Sequence, residues 1–158
     1  MDSYLILKWV HILPSTVLFG TGIGTAFQMV WSMYIGNLQA IHSTARGVVV
    51  ADWLFTTPAG IVQPISGIAL VYSAGYALDE PWLLATYSLY ALAFLCWAPV
   101  VWLQIRIRDL AAEAITTASV LPKHATRYFG IWCALGVPAF LALIVIYWLM
   151  VAKPPLWG

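Results

Sequence analysis

The sequence predicts an all-α, polytopic membrane protein: an antiparallel bundle of four transmembrane helices with both chain ends on the outer face. Three observations predict it. Of 158 residues 63% are hydrophobic, against 7 Lys and Arg and 6 Asp and Glu. Those charges are bunched, leaving uncharged stretches from Lys8 to Arg46, Asp52 to Asp79, Glu80 to Arg106 and Arg127 to Lys153. Each stretch exceeds the about 20 residues a helix needs to cross a hydrocarbon core roughly 30 Å thick. None shows the alternating polarity of a barrel strand. The same composition excludes a soluble enzyme and a disordered chain. A net charge of +1 without a basic run gives nucleic acid no footing.

Span one is expected at about 4–34, long enough to tilt or to project beyond one face. No basic residue precedes its apolar run before Lys8 and no small-residue cleavage site follows, so it is expected to be retained. Span two is expected at about 48–77 and span three at 82–105. The turn Leu78-Asp79-Glu80-Pro81 between them is short, which predicts that these spans are antiparallel neighbours. The connection 106–127 follows. Arg106, Asp109 and Glu113, three and four apart, predict that the helix runs past the bilayer; Thr116 to Pro122 then reads as a loop. Span four is expected at about 128–152, and the chain reads as a single domain.

Orientation follows from the short loops. Arg46, Arg106, Arg108, Lys123 and Arg127 fall on one face, against Lys8 and Lys153 on the other. The face richer in Lys and Arg is the cytoplasmic one, so the chain ends lie outside and the location is a bacterial inner membrane. The 9 Trp and 8 Tyr suit this frame. Trp9, Tyr76, Trp82, Tyr147, Trp148 and Trp157 fall toward the outer boundary, and Trp31, Tyr34, Trp102 and Tyr128 toward the inner one, as interfacial anchors do. Tyr87, Tyr90, Trp97 and Trp132 lie deeper, where a ring needs a polar partner or a flat neighbour. Cys96 and Cys133 read as small buried groups rather than a disulfide, and without CxxC or CxxCH neither zinc nor covalent haem is expected.

Every span contains proline: Pro14; Pro58 and Pro64; Pro99; Pro138. Each removes a backbone hydrogen bond, tolerated in a membrane helix where a neighbour satisfies the freed carbonyl. Gln63, between Pro58 and Pro64, reads most simply as that neighbour. Gly20-x-x-x-Gly24 lets a second helix or a flat ligand approach the span-one backbone. Asp52 reads as an interfacial ion pair with Arg46, Arg106 or Arg108, with proton relay as the functional alternative. Gln28 and Gln104 read as unremarkable polar residues near the inner boundary.

His11 carries the most chemistry. An ionisable side chain at membrane depth is costly facing lipid, which makes it a candidate for function. Neutral imidazole is a common ligand of haem iron, and Lys8, three residues earlier, is placed for a haem propionate. The structural alternative is a histidine that only hydrogen-bonds the next helix while Lys8 reaches for the interface. His42 and His124 belong to the inner loops, so no second histidine shares the depth of His11 within one copy. A haem here is therefore five-coordinate, ligated by another group, or shared between copies.

The stretches LKWVHIL (Leu7–Leu13), FGTGIGTAF (Phe19–Phe27), ADWLFTTPAGIVQPISG (Ala51–Gly67), WAPVVWLQIRIRDL (Trp97–Leu110) and WLMVAKPPLW (Trp148–Trp157) together resemble a bacterial integral-membrane family, domain of unknown function 2269. More distantly the chain is similar to the HemJ family of membrane protoporphyrinogen IX oxidases and to the CopD copper-resistance group. The HemJ likeness rests on Lys8, His11, Gly20, Pro58, Gly67, Arg127, Pro138 and Val151–Pro154. It implies haem b on the span-one histidine, here His11. The HemJ pattern also has an Asn-Glu pair before the span-four proline, where this chain has Leu135 and Gly136, and a span-three lysine near Tyr87. Copper handling lacks a Met/His cluster, since Met29 and Met33 fall in the opposite half from His11. The functional expectation is a b-type haem, with His11 on the iron, Lys8 on a propionate and Gly20 and Gly24 as the close-approach surface. Electron transfer or HemJ-like oxidoreductase chemistry in tetrapyrrole or respiratory metabolism follows from it. The alternative is a non-catalytic accessory subunit of a respiratory or photosynthetic complex. The expected surroundings are the lipid bilayer and a homo-oligomer or larger membrane complex.

Overall fold

The structure is a computed structural model and describes residues 3–156. Trp157, assigned above to the outer aromatic belt, lies outside the described residues. The described chain is helical with no strand among its elements. Helix α1 spans Ser3–Ile35, α2 Leu38–Ala51, α3 Thr57–Ala74, α4 Pro81–Thr116 and α5 Lys123–Ala152; a π-helical turn, Asp52–Thr56, joins α2 to α3 without a break. Four helices are thus long and apolar enough to cross a membrane: Ser3–Ile35, Leu38–Ala74, Pro81–Thr116 and Lys123–Ala152. Their outward faces carry Leu, Ile, Val and aromatic side chains, the reverse of a water-soluble bundle and the pattern that lipid demands.

Span two begins ten residues earlier than the sequence placed it, and the segment before it is helix rather than loop. Gly36 at φ 72 ends the first span, and the Asn37 side chain accepts from Ala40 N at 3.0 Å to start the next helix. Ile41, Ala45, Val48 and Val49 then recur on one face of α2 and are buried. They meet the C-terminal part of α4, where Ile107, Leu110, Ala111 and Ala114 form the matching buried stripe. Arg106, Asp109 and Glu113 lie on the exposed side of that part, as their spacing predicts. His42 and His124, assigned to loops, lie in helices α2 and α5.

The close partners are α1 with α3, α2 with α4, and α4 with α5. Spans two and three are therefore neighbours only along α2; α3 and α4 hardly touch despite the short turn joining them. The π-helical turn is the physical cause of the divergence. Pro58 has no N–H for the carbonyl of Leu54, and the extra residue of a π turn redirects the helix beyond it. Span two thus lies on α4 at one end and on α1 at the other. Two apolar clusters hold the ends. Met29, Ile41, Ala45, Val48, Val100, Leu103, Ile107, Ala111 and Trp132 pack nearer the α4–α5 loop, and Val71, Trp82, Leu83 and Leu149 nearer the chain ends. Trp82, expected in the interfacial belt, is 5% exposed inside the second cluster. Lys153 closes that end: its Nζ donates to Tyr76 Oη at 2.8 Å and lies 4.5 Å from the centre of the Tyr76 ring.

Candidate functional site

Between the two apolar clusters the interior carries several polar groups, and the first of them is His11. The imidazole projects from α1 into α3. Its Nδ1 is 2.9 Å from Ser66 Oγ, and its Nε2 is 3.2 Å from Gln63 Nε2. The Ser66 hydroxyl donates to Val62 O at 2.8 Å and leans on Gln63 O at 3.1 Å, so the hydroxyl proton is already used. Nδ1–H is then the donor to Ser66, and Nε2 accepts from the Gln63 amide. Gly67 makes room for the ring: a Cβ there would stand 3.1 Å from His11 Cε1. Gln63 therefore bonds a side chain rather than the carbonyls freed by proline, and its Oε1 is buried without a partner among the described residues.

The carbonyl freed by Pro64 belongs to Gly60, four residues back, and it finds Tyr90. The Tyr90 hydroxyl reaches from α4 and donates to Gly60 O at 2.5 Å. Proline chemistry thus places a tyrosine across the gap between α3 and α4. Two further buried polar atoms in this layer, Thr56 Oγ1 and Trp97 Nε1, have no partner among the described residues.

Asp52 corrects the reading made from sequence. Its residue is 7% exposed, it lies about 20 Å along span two from Leu38 at 1.5 Å per residue, and no ion pair to it exists among the described residues. Its carboxylate accepts from Gln104 Nε2, and Gln104 Oε1 in turn accepts from Trp132 Nε1 at 3.2 Å. This chain ties the π-helical turn to α4 and α5. Gln104, read as unremarkable, is 1% exposed and is its hub. The signal available in the sequence was the seven-residue interval of Tyr90, Trp97 and Gln104, which puts three polar tips on one face of α4. Asp52 is bonded to Gln104 rather than to an arginine, and the one ion pair of Arg106 and Arg108 among the described residues joins Arg108 to Asp109 at 2.7 Å.

The other predicted site residues do not converge with His11. Lys8 is exposed, one turn nearer the chain ends. Gly20 and Gly24 lie nine and thirteen residues beyond His11, roughly two and a half and three and a half turns, so they face the opposite side of α1. Both are exposed, and no atom of the chain outside the helix approaches within 4 Å of where their Cβ atoms would stand. A ligand on His11 cannot also lie on that stripe. Cys96 and Cys133 are both free thiols. No group of three or more His, Cys, Asp or Glu side chains able to hold a bare metal ion exists among the described residues.

A family model described as predicted integral membrane protein, domain of unknown function 2269, matches residues 5–154. The chain belongs to that family. As a member it is a multi-pass integral membrane protein, in agreement with its four long apolar helices. No match was found among curated proteins or among solved structures. The His11 clasp, the Tyr90–Gly60 bond and the Asp52–Gln104–Trp132 chain all lie within the part of this family member that the model matches.

Proposed function

We propose that this chain is a bacterial inner-membrane protein that binds a b-type haem through His11 and passes electrons between a membrane-soluble reductant and a respiratory acceptor. The observation that supports this reading is the pairing of the His11 ring, with Nδ1 2.9 Å from Ser66 Oγ and Nε2 3.2 Å from Gln63 Nε2. With the Ser66 proton spent on Val62 O, Nδ1 must donate and Nε2 carries the lone pair. A histidine oriented by a hydrogen bond on one nitrogen, with a lone pair on the other, is the form that ligates iron. The one donor the site offers to haem iron is His11 Nε2. Gln63 holds the same lone pair at 3.2 Å, so iron and the Gln63 amide compete for it. In this role His11 binds the iron, Ser66 orients the ring, and exposed Lys8 is available to a propionate one turn nearer the outer face. Haem, when bound, supplies one-electron chemistry at its iron. The excess of Lys and Arg on the α4–α5 side supports chain ends outside.

A second reading has its own support. The bare Gly20–Gly24 face is a surface on which another membrane helix can pack closely, as in an accessory subunit of a larger complex. The visible spectrum of the purified protein separates the two. Haem binding gives a Soret band that His11→Ala removes and Gln63→Ala strengthens. A colourless protein recovered from native membranes only in stoichiometric complex favours the accessory reading.

A further inference from the structure

The interior between span two and α4 shows a pattern that neither the helix packing nor a ligand on His11 accounts for. Three buried side-chain atoms lack any hydrogen-bond partner among the described residues: Gln63 Oε1, Thr56 Oγ1 and Trp97 Nε1. They are not scattered. Asp52, Thr56, Gly60 and Gln63 recur at intervals of four, four and three, which is one face of span two. Tyr90, Trp97 and Gln104 recur at intervals of seven on the facing side of α4. The two rows are bonded by Tyr90 to Gly60 O and by Gln104 to Asp52, with Thr56 and Trp97 between these bonds and Gln63 one turn beyond the first, against His11. Thr56 and Trp97 are the middle members of their rows, so they face the same layer. There α3 and α4 hardly approach each other, which leaves room between the backbones. The set offers one acceptor, one donor and one hydroxyl able to do either. Buried polar groups in folded proteins find partners, and where the chain provides none, ordered water does.

We propose that this layer holds a chain of bound waters, linking the His11–Gln63 clasp to the Asp52–Gln104 pair. The waters accept from Trp97 Nε1–H, exchange hydrogen bonds with Thr56 Oγ1 and donate to Gln63 Oε1. The apolar clusters around Ile107 and Trp82 close the chain toward either face. It joins the imidazole and the carboxylate that lie inside the spans. The proposal rests on the three unpartnered atoms and not on haem, so it stands or falls independently of the proposed function.

Two measurements on the detergent-solubilised full chain test it. The first is the sign of a stability change in Thr56→Val, which removes the hydroxyl at nearly constant volume. A hydroxyl in a water chain is lost at a cost, and the melting temperature falls by several degrees. A dry, unpartnered hydroxyl is destabilising in the parent protein, and the same substitution raises the melting temperature. A rise overturns the proposal. The second uses tryptophan labelled with nitrogen-15, with the Trp97 indole signal assigned through its loss in Trp97→Phe. Cross-relaxation between water and the Trp97 indole proton is expected, reduced in Thr56→Val. Its absence in the wild-type chain overturns the proposal.

Discussion

Single side chains in this protein are fixed by needs that other single atoms create. Pro64 cannot donate to Gly60 O, and Tyr90 meets that oxygen from another helix. Tyr90→Phe therefore leaves a buried carbonyl unpaired and is expected to cost about 1–3 kcal/mol in thermal or denaturant unfolding. Pro64→Ala restores the N–H, so in the double variant the cost of Tyr90→Phe falls toward zero; additive losses would show that the proline does not create the need. Gly67→Ala places a methyl 3.1 Å from His11 Cε1. The ring cannot retreat without giving up Ser66 or Gln63, so we expect a loss of roughly 1–3 kcal/mol. The imidazole signals in nuclear magnetic resonance should shift with it, and an unchanged spectrum and stability would contradict the clasp. Gln104→Leu strands the Asp52 carboxylate and the Trp132 indole together, at a cost of about 2 kcal/mol or more. The sequence made His11 conspicuous because it is an ionisable residue in an apolar run. Its partners Ser66 and Gln63 could not be read, since contact between residues 55 and 52 positions apart depends on how two helices face each other.

At the level of elements, composition located the helices well and their ends poorly. Span one and the continuation of the third helix to Thr116 were legible from charge spacing and apolar length. The start of span two was not, because the polar residues Asn37, Gln39, His42, Ser43 and Arg46 look like loop in a hydropathy reading. They are one side of an amphipathic helix whose other side, Ile41, Ala45 and Val48, is buried on α4. The period of 3.6 was there; the assumption that a membrane protein is apolar on all sides hid it. Asn37→Ala removes the acceptor of Ala40 N and is expected to destabilise by about 1 kcal/mol, with Asn37→Ser retaining most of the stability. Equal losses in both variants would show that the cap contributes through something other than its side-chain oxygen. The π-helical turn was likewise illegible, although Pro58 marked its end. A proline announces a break in the hydrogen-bond ladder without saying whether the helix kinks, widens or stops.

The whole molecule is two helix pairs, α1 with α3 and α4 with α5, joined by α2 and closed by apolar clusters at either end. That arrangement puts the polar groups at helix contacts: the His11 clasp within the first pair, and the Tyr90–Gly60 and Asp52–Gln104 bonds between span two and α4. It explains why the fold class was legible from the distribution of a few charges while the site was not: the class depends on run lengths, the site on which faces meet. The proposed orientation is testable at this scale. Single cysteines introduced at Ser119, in the α4–α5 loop, and at Asp79, in the turn between α3 and α4, should react oppositely with a membrane-impermeant maleimide applied to intact cells. With the chain ends outside, position 79 labels and position 119 does not; the reverse pattern inverts the topology. The central claim concerns His11, and the visible spectrum of the purified protein addresses it most directly. A Soret band in the wild type, lost in His11→Ala and stronger in Gln63→Ala, is the predicted result. A colourless wild-type protein, or a band indifferent to His11→Ala, would contradict it.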